Sequence, residues 1–320
     1  MNTQIKLAII AIAIVIPLAS LAVTQTNSPS NNSTNENSKL QVVASATFLY
    51  EFSQNIGKEM IDVTLLVPMG ADPHDWEPTI RDTERLQKAD MIIVNGIGYE
   101  HWLNSLELSD IAGILVDTSN GISTLDSANH DEEKHDDHAK EDGHDDEDNH
   151  NHGVLDPHIW LNPVFAQLQV KNIANALSNS DPTNKNYYQS NAAIYNQKLN
   201  LLDTKIRTEL SGCKTDFITF HDAFSYFSEE YGLTQHTIIF STDSHGEVTL
   251  KTLENIISLA RELNIKIIFA EESASTKTSQ VIADEIGGKV LVLSPLEIVS
   301  DETYVEKMTQ NLQNLKDALC

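Results

Sequence analysis

The chain has 320 residues, 40% of them hydrophobic, and a formal net charge of -26 at pH 7. Such a length supports a full core and about two domains. The charge excludes nucleic acid as a partner, because a phosphate backbone would be repelled, and favours cations instead.

Lys6 precedes an uncharged apolar run from Leu7 to Val23. Residues 1–23 read as a signal peptide, with Ser20-Leu21-Ala22 as a small-residue cleavage site, or as a membrane anchor. Either reading delivers the rest of the chain outside the cytoplasm, secreted or held at the outer face of the cytoplasmic membrane. Residues 24–39 are mostly Asn, Ser, Thr and Gln and read as a flexible polar tether. No cysteine follows the apolar run to accept a lipid. Cys213 and Cys320 are the two cysteines, and they pair only if folding in an oxidising compartment brings them together.

From Leu40 onward short apolar runs alternate with amphipathic ones. Strands are predicted at Gln41–Ala46, Val63–Val67, Met91–Val94 and Ile114–Val116, then at Phe217–Phe220, Thr237–Phe240, Ile267–Ala270 and Val290–Leu293. Helices are predicted at Phe48–Ile56, Thr79–Lys88 and Leu250–Leu263. Alternation of this kind indicates an α/β fold with mainly parallel sheets, and four strands on each side of a helical middle indicate two similar lobes. The lobes are placed at residues 40–165 and 212–320, with a linking helical region at 166–211. In that middle Asp181 can cap and Pro182 can open a helix. Tyr188, Ala192, Tyr195, Leu199, Leu202, Ile206 and Leu210 then recur at three- and four-residue steps. They predict one amphipathic helix of about 29 residues, roughly 40 Å long, able to span both lobes as a rigid strut. Tyr304, Met308, Leu312, Leu315 and Leu319 predict a last amphipathic helix.

The segment 130–152 breaks the pattern, with six histidines, eleven acidic residues and no aliphatic side chain larger than Ala139. It cannot pack a core and reads as a loop that collects metal ions weakly.

The pentapeptide Asp-Pro-His-x-Trp occurs twice, as Asp72-Pro73-His74-Asp75-Trp76 and Asp156-Pro157-His158-Ile159-Trp160. His221 follows a third apolar run. One such histidine alone would be read as hydrogen-bonded within its own turn. A repeated motif plus His221 points to one metal site assembled from distant parts of the chain, with neutral imidazoles as ligands. Asp72, Asp156 and Asp222 are candidate partners to orient those rings. His101, His236 and His245 read as ordinary surface or edge residues.

These motifs, together with Asn95-Gly96-Ile97-Gly98 and the run from Phe220 to Phe227, resemble the zinc- and manganese-binding solute receptors of ABC importers. The resemblance runs from Leu40 to the C-terminus. It implies two α/β lobes joined by one long helix, with metal in the interlobe cleft. It also implies His74, His158 and His221 as ligands, with a late acidic residue as the fourth. Glu297 in Leu293-Ser294-Pro295-Leu296-Glu297 is the candidate; Glu271 is the competitor, or else an orienting residue. Three nitrogens and one oxygen suit tetrahedral Zn2+, whereas Mn2+, the alternative cargo, prefers more oxygen ligands. The expected protein is a monomeric receptor that hands its ion to a membrane permease, with cell adhesion as a secondary role. The rival from another class is a secreted zinc hydrolase. It lacks a His-Glu-x-x-His pair, and no enzymatic activity is expected.

Overall fold

The computed structural model describes residues 39–68, 71, 73–106, 111–125, 155–239, 248–272 and 276–320. The apolar N-terminal run, the tether up to residue 38, the His-rich loop, Asp72 and His245 lie outside the described residues.

The first sheet comprises β1 (Leu40–Ala44), β2 (Ile61–Leu65), β3 (Met91–Val94) and β4 (Ile114–Asp117), in the order β2-β1-β3-β4. The second comprises β5 (Asp216–Thr219), β6 (Thr234–Thr237), β7 (Ile267–Ala270) and β8 (Lys289–Val292), in the order β6-β5-β7-β8. All pairings are parallel. The two orders are the same, so each lobe repeats the topology of the other. The inner strands β3 and β7 are buried along their whole length, as parallel strands covered on both faces must be.

Helices α1 (Thr47–Gly57) and α2 (Ile80–Lys88) connect strands of the first lobe. Helices α5 (Ser225–Tyr231), α6 (Leu250–Glu262) and α7 (Thr276–Ile286) do so in the second, and α8 (Tyr304–Leu319) closes the described chain. Thr79 and Thr303 open α2 and α8 with reciprocal capping boxes to Asp82 and Glu306.

Between the sheets lie two helices, α3 (Pro163–Ser180) and α4 (Lys185–Glu209). Pro182 opens a short 3-10 turn, Pro182–Asn184, from which the 25-residue α4 continues. The predicted strut is therefore present, with its first turn wound more tightly. The helix α3 was legible only as part of the linking region; Asn162 caps it and Pro163 stands at its first position. Helix α4 packs along α3 and also touches α1 of the first lobe and α8 of the second. Its buried Tyr188, Ala192, Tyr195, Leu199, Leu202 and Ile206 join one apolar core that reaches from Val42 and Phe52 to Phe217 and Leu312. The two lobes are thus fused along a shared core, rather than hung on a flexible linker.

Cys213, just after α4, is bonded to Cys320 at a Cα–Cα distance of 4.8 Å. No helix among the described residues is long and apolar enough to cross a membrane.

Candidate metal centre

In a parallel sheet the carboxyl ends of all strands lie along one edge, where the connecting loops are free to carry function. His74 lies in the loop between β2 and α2, His221 two residues beyond β5, and Glu297 in the loop beyond β8. His158 precedes the short 3-10 turn Ile159–Leu161 that leads into α3. Both lobes point these loops at one place. One ligand atom each from His74, His158, His221 and Glu297 lie within 4.8 Å of one another. His158 and His221 are fully buried, Glu297 is 7% exposed, and the His74 side chain 9%.

The imidazole Nε2 atoms of His158 and His221 are 3.4 Å apart. Glu297 Oε1 is 2.9 Å from His74 Nε2 and 3.6 Å from His158 Nε2. Ligands about 2.0–2.1 Å from a tetrahedral zinc would be separated by roughly 3.3 Å. The pairs at 2.9, 3.4 and 3.6 Å bracket that separation, and the widest pairs, up to 4.8 Å, would have to close by roughly 1.5 Å to hold one ion.

Two further carboxylates fix the rings. His158 Nδ1 donates to Asp156 Oδ1 at 2.7 Å, and the same oxygen accepts the His158 backbone N–H at 2.9 Å. His221 Nδ1 donates to Glu271 Oε1 at 2.6 Å, and its backbone N–H reaches that oxygen at 3.1 Å. A carboxylate can only accept, so each Nδ1 carries a proton and each Nε2 is the atom that faces the cluster, able to bind metal once it is itself deprotonated. Glu271 thus stands behind His221 as an orienting partner, and Glu297 occupies the position beside the rings. Asp222, expected behind a ring, instead accepts from Ser225 Oγ at 2.9 Å, and burial raises its pKa.

The tryptophans of the repeated motif anchor the histidine turns. Trp160 stacks on Phe48 with centroids 4.4 Å apart and donates its indole N–H to Pro295 O at 2.8 Å. Trp76 packs edge-on against Trp102. The Asn95–Glu100 turn, whose residues 96, 97 and 98 all have positive φ, braces two histidines of the cluster. Asn95 Nδ2 donates to Pro157 O at 2.8 Å, and the Tyr99 ring lies against that of His74. Glu100 holds this turn by accepting from Ser45 Oγ and from two backbone N–H groups, and burial pushes its carboxyl up to about 7. The Asn-Gly-Ile-Gly run marked this turn in the sequence; its bracing role was not legible there.

The electrostatics favour a cation. Burial opposes charge on His158, but Asp156 and Glu297 outweigh it and push the imidazole up to about 10. Glu297 is likewise penalised by burial, yet the His74 and His158 rings hold its carboxyl well below the usual carboxylate range. Asp156 Oδ2 and Glu271 Oε2 are buried without a hydrogen-bond partner among the described residues. Buried carboxylates left short of partners are costly unless positive charge compensates them. His101, 3.4 Å from Glu77, and His236, 2.9 Å from Asp216, form their own surface pairs away from this cluster.

Two topologically matched lobes that converge on a buried three-histidine, one-carboxylate cluster define a two-lobed, metal-binding solute receptor. The chain belongs to the ZnuA family, described as zinc-uptake complex component A, periplasmic, which matches residues 42–318. It is 43% identical over 291 residues to the high-affinity zinc uptake system protein ZnuA of Bacillus subtilis, covering 88% of each chain. The crystal structure of the metal-dependent lipoprotein YcdH from Bacillus subtilis matches with a TM-score of 0.72 at 38% identity, over 88% of this chain and 99% of that one. A structure of the laminin-binding adhesin Lmb from Streptococcus agalactiae matches at 0.76 and 27% identity, over 88% and 100%.

Proposed function

We propose that this protein captures Zn2+ outside the cytoplasm through His74, His158, His221 and Glu297, and delivers it to the permease of an ABC importer. The observation that carries this reading is the buried cluster of three imidazoles and one carboxylate, with ligand atoms within 4.8 Å. The donor set supports zinc over manganese, which would call for more oxygen ligands. Four protein ligands fill a tetrahedral shell and leave no position for an activated water, which speaks against the hydrolase alternative. The name of the Bacillus subtilis relative supports the same cargo.

The N-terminal run would serve as signal or anchor, and the His-rich segment as a weak feeder of ions; both lie outside the described residues. The adhesive role in the name of the streptococcal neighbour stays with that protein. The test is a titration of the purified metal-free protein with Zn2+ and with Mn2+, followed by calorimetry and metal analysis. One tight equivalent of zinc that outcompetes manganese is expected. Stoichiometric manganese retention against equimolar zinc would overturn the choice of cargo.

A further inference from the structure

Among the described residues the two most exposed large aliphatic side chains are Ile80, at 82%, and Leu250, at 80%. A single exposed aliphatic residue needs no explanation. These two, however, occupy the same position in the two lobes. Ile80 is the first residue of α2, which joins β2 to β3; Leu250 is the first residue of α6, which joins β6 to β7. Under the shared strand order, β2 corresponds to β6 and β3 to β7.

The chemistry around them repeats as well. The sequence reads Glu77-Pro78-Thr79-Ile80-Arg81 in the first lobe and Glu247-Val248-Thr249-Leu250-Lys251 in the second. In both, the threonine side chain caps its helix, accepting from Asp82 N or Thr252 N. The capping threonines are explained by helix stability. The residues that follow them are not. An exposed aliphatic side chain gains nothing from water. A cation in the first turn of a helix faces the positive end of the helix dipole, an unfavourable placement. Arg81 and Lys251 are both exposed. Each lobe thus accepts the same two local penalties at the same place, on a chain that is otherwise strongly acidic. Both helices begin at the carboxyl edge of their sheet, the edge that also carries His74, His221 and Glu297.

We infer that Ile80–Arg81 and Leu250–Lys251 are paired docking knobs, by which the two lobes straddle a two-fold-symmetric permease over the metal site. The partner presents one socket twice: an apolar pocket rimmed by carboxylate, complementary to an aliphatic side chain followed by a cation. Pseudo-equivalent surfaces on one chain fit a partner whose halves are related by a two-fold axis. The acidic body as a whole disfavours an anionic partner, so a carboxylate-rimmed socket is drawn to local cations such as Arg81 and Lys251, which flank the exposed aliphatic side chains in both lobes. The inference rests on the importer reading above.

The test uses the source organism with its own copy of this gene deleted and complemented by wild type, Ile80→Asp, Leu250→Asp, the double variant or Lys251→Glu. Radioactive zinc uptake and the zinc affinity of each purified protein are measured. Each single substitution should lower uptake by about tenfold or more, as loss of an interface hot spot does, and the double variant should abolish it. Zinc affinity and melting temperature should stay at wild-type values. A photo-crosslinking residue placed at 80, and separately at 250, should capture the same membrane-spanning permease polypeptide, identified by mass spectrometry. Wild-type uptake by the double variant would overturn the proposal. So would wild-type dimers dissolved by Ile80→Asp, which would make this a self-interface, or binding of the purified protein to anionic vesicles that depends on Arg81 and Lys251. If the wild-type protein itself bound no zinc, or its deletion left uptake unchanged, the importer reading would fail instead.

Discussion

The Thr47 hydroxyl, at the start of α1 in the first lobe, donates to the carbonyl of Leu296 at 2.8 Å, and Leu296 is the residue before Glu297. Leu296 itself sits at φ 63, a left-handed conformation that costs a non-glycine residue energy and must be held by its surroundings. The loop of the second lobe that offers the carboxylate is thus pinned by the first. Replacing Thr47 with Val keeps the shape and removes the donor. The expected loss is about 1 kcal/mol of stability, with a several-fold weaker zinc affinity and an unchanged stoichiometry. Denaturant unfolding and calorimetry of the same variant check both.

Alanine at His74, His158 or His221 should weaken zinc binding by more than about a hundredfold, beyond the range usual for outer-sphere changes. Glu297→Ala should retain one equivalent at lower affinity, because three nitrogens remain. His101→Ala should bind as wild type, since that ring pairs with Glu77 at the surface. Competition titrations against a chelator rank the five proteins. Unchanged affinity in His158→Ala would refute the site.

Glu271→Ala leaves all four proposed ligands in place and removes the acceptor behind His221. Affinity should fall by roughly tenfold to a hundredfold. A spectroscopic cobalt substitute should report a distorted, still four-coordinate site. A coordination number reduced by one would show that Glu271, not Glu297, is a ligand.

The pH response follows from His158. An ordinary imidazole, at about 6.5, would lose zinc only below roughly pH 6. Here Asp156 and Glu297 overcome the burial penalty and raise the folded value to about 10. In the metal-free protein that protonation stabilises the fold fully below the unfolded value of 6.5, and its contribution is lost as pH rises through about 10. Glu297 acts in the opposite sense. Its depressed value contributes stability above the unfolded 4.5, and that contribution is lost as pH falls through the folded value. Zinc must displace the His158 proton, so apparent affinity should keep climbing from pH 6 to 9, with protons released on binding. Calorimetry in buffers of different ionisation enthalpy measures that release. Asp156→Asn should shrink it, and a pH-independent affinity above 7 would contradict the account.

The disulfide spans a sequence separation of 107 residues. Closing a loop of this length is worth about 4–5 kcal/mol in the chain-entropy model. Reductant should lower the unfolding midpoint accordingly. Zinc stoichiometry under native conditions should persist, because neither cysteine contributes to the metal cluster.

Much of this was legible in the sequence where burial on both faces enforces apolar residues. Met91–Val94 and Ile267–Ala270 were predicted with their observed bounds. The edge strand β6 was not. It was expected at Thr237–Phe240 and lies at Thr234–Thr237, because an edge strand tolerates polar residues such as Gln235 and His236. The buried Ile238 and Ile239, which carried the expectation, follow the strand and still bond to Thr219 O and Phe220 O. His74 and His158 stood out because their motif repeats, and His221 because it follows an apolar run. Glu271 was legible as the competitor to Glu297 or as an orienting residue, but its pairing with His221 was not, since the two lie 50 residues apart and only the parallel order β5-β7 makes them neighbours.

Trp160 bears on anyone wishing to retune this receptor for another ion. Its ring rests on Phe48, its indole N–H holds Pro295, and its carbonyl accepts the Tyr304 hydroxyl at 2.7 Å. Two residues from a proposed ligand, one residue is therefore also the rivet between the halves of the molecule. Changes there would trade selectivity against integrity in a single stroke. Glu297, whose charge interactions are with the His74 and His158 rings, is the place where a designer can vary the donor atom without touching that rivet.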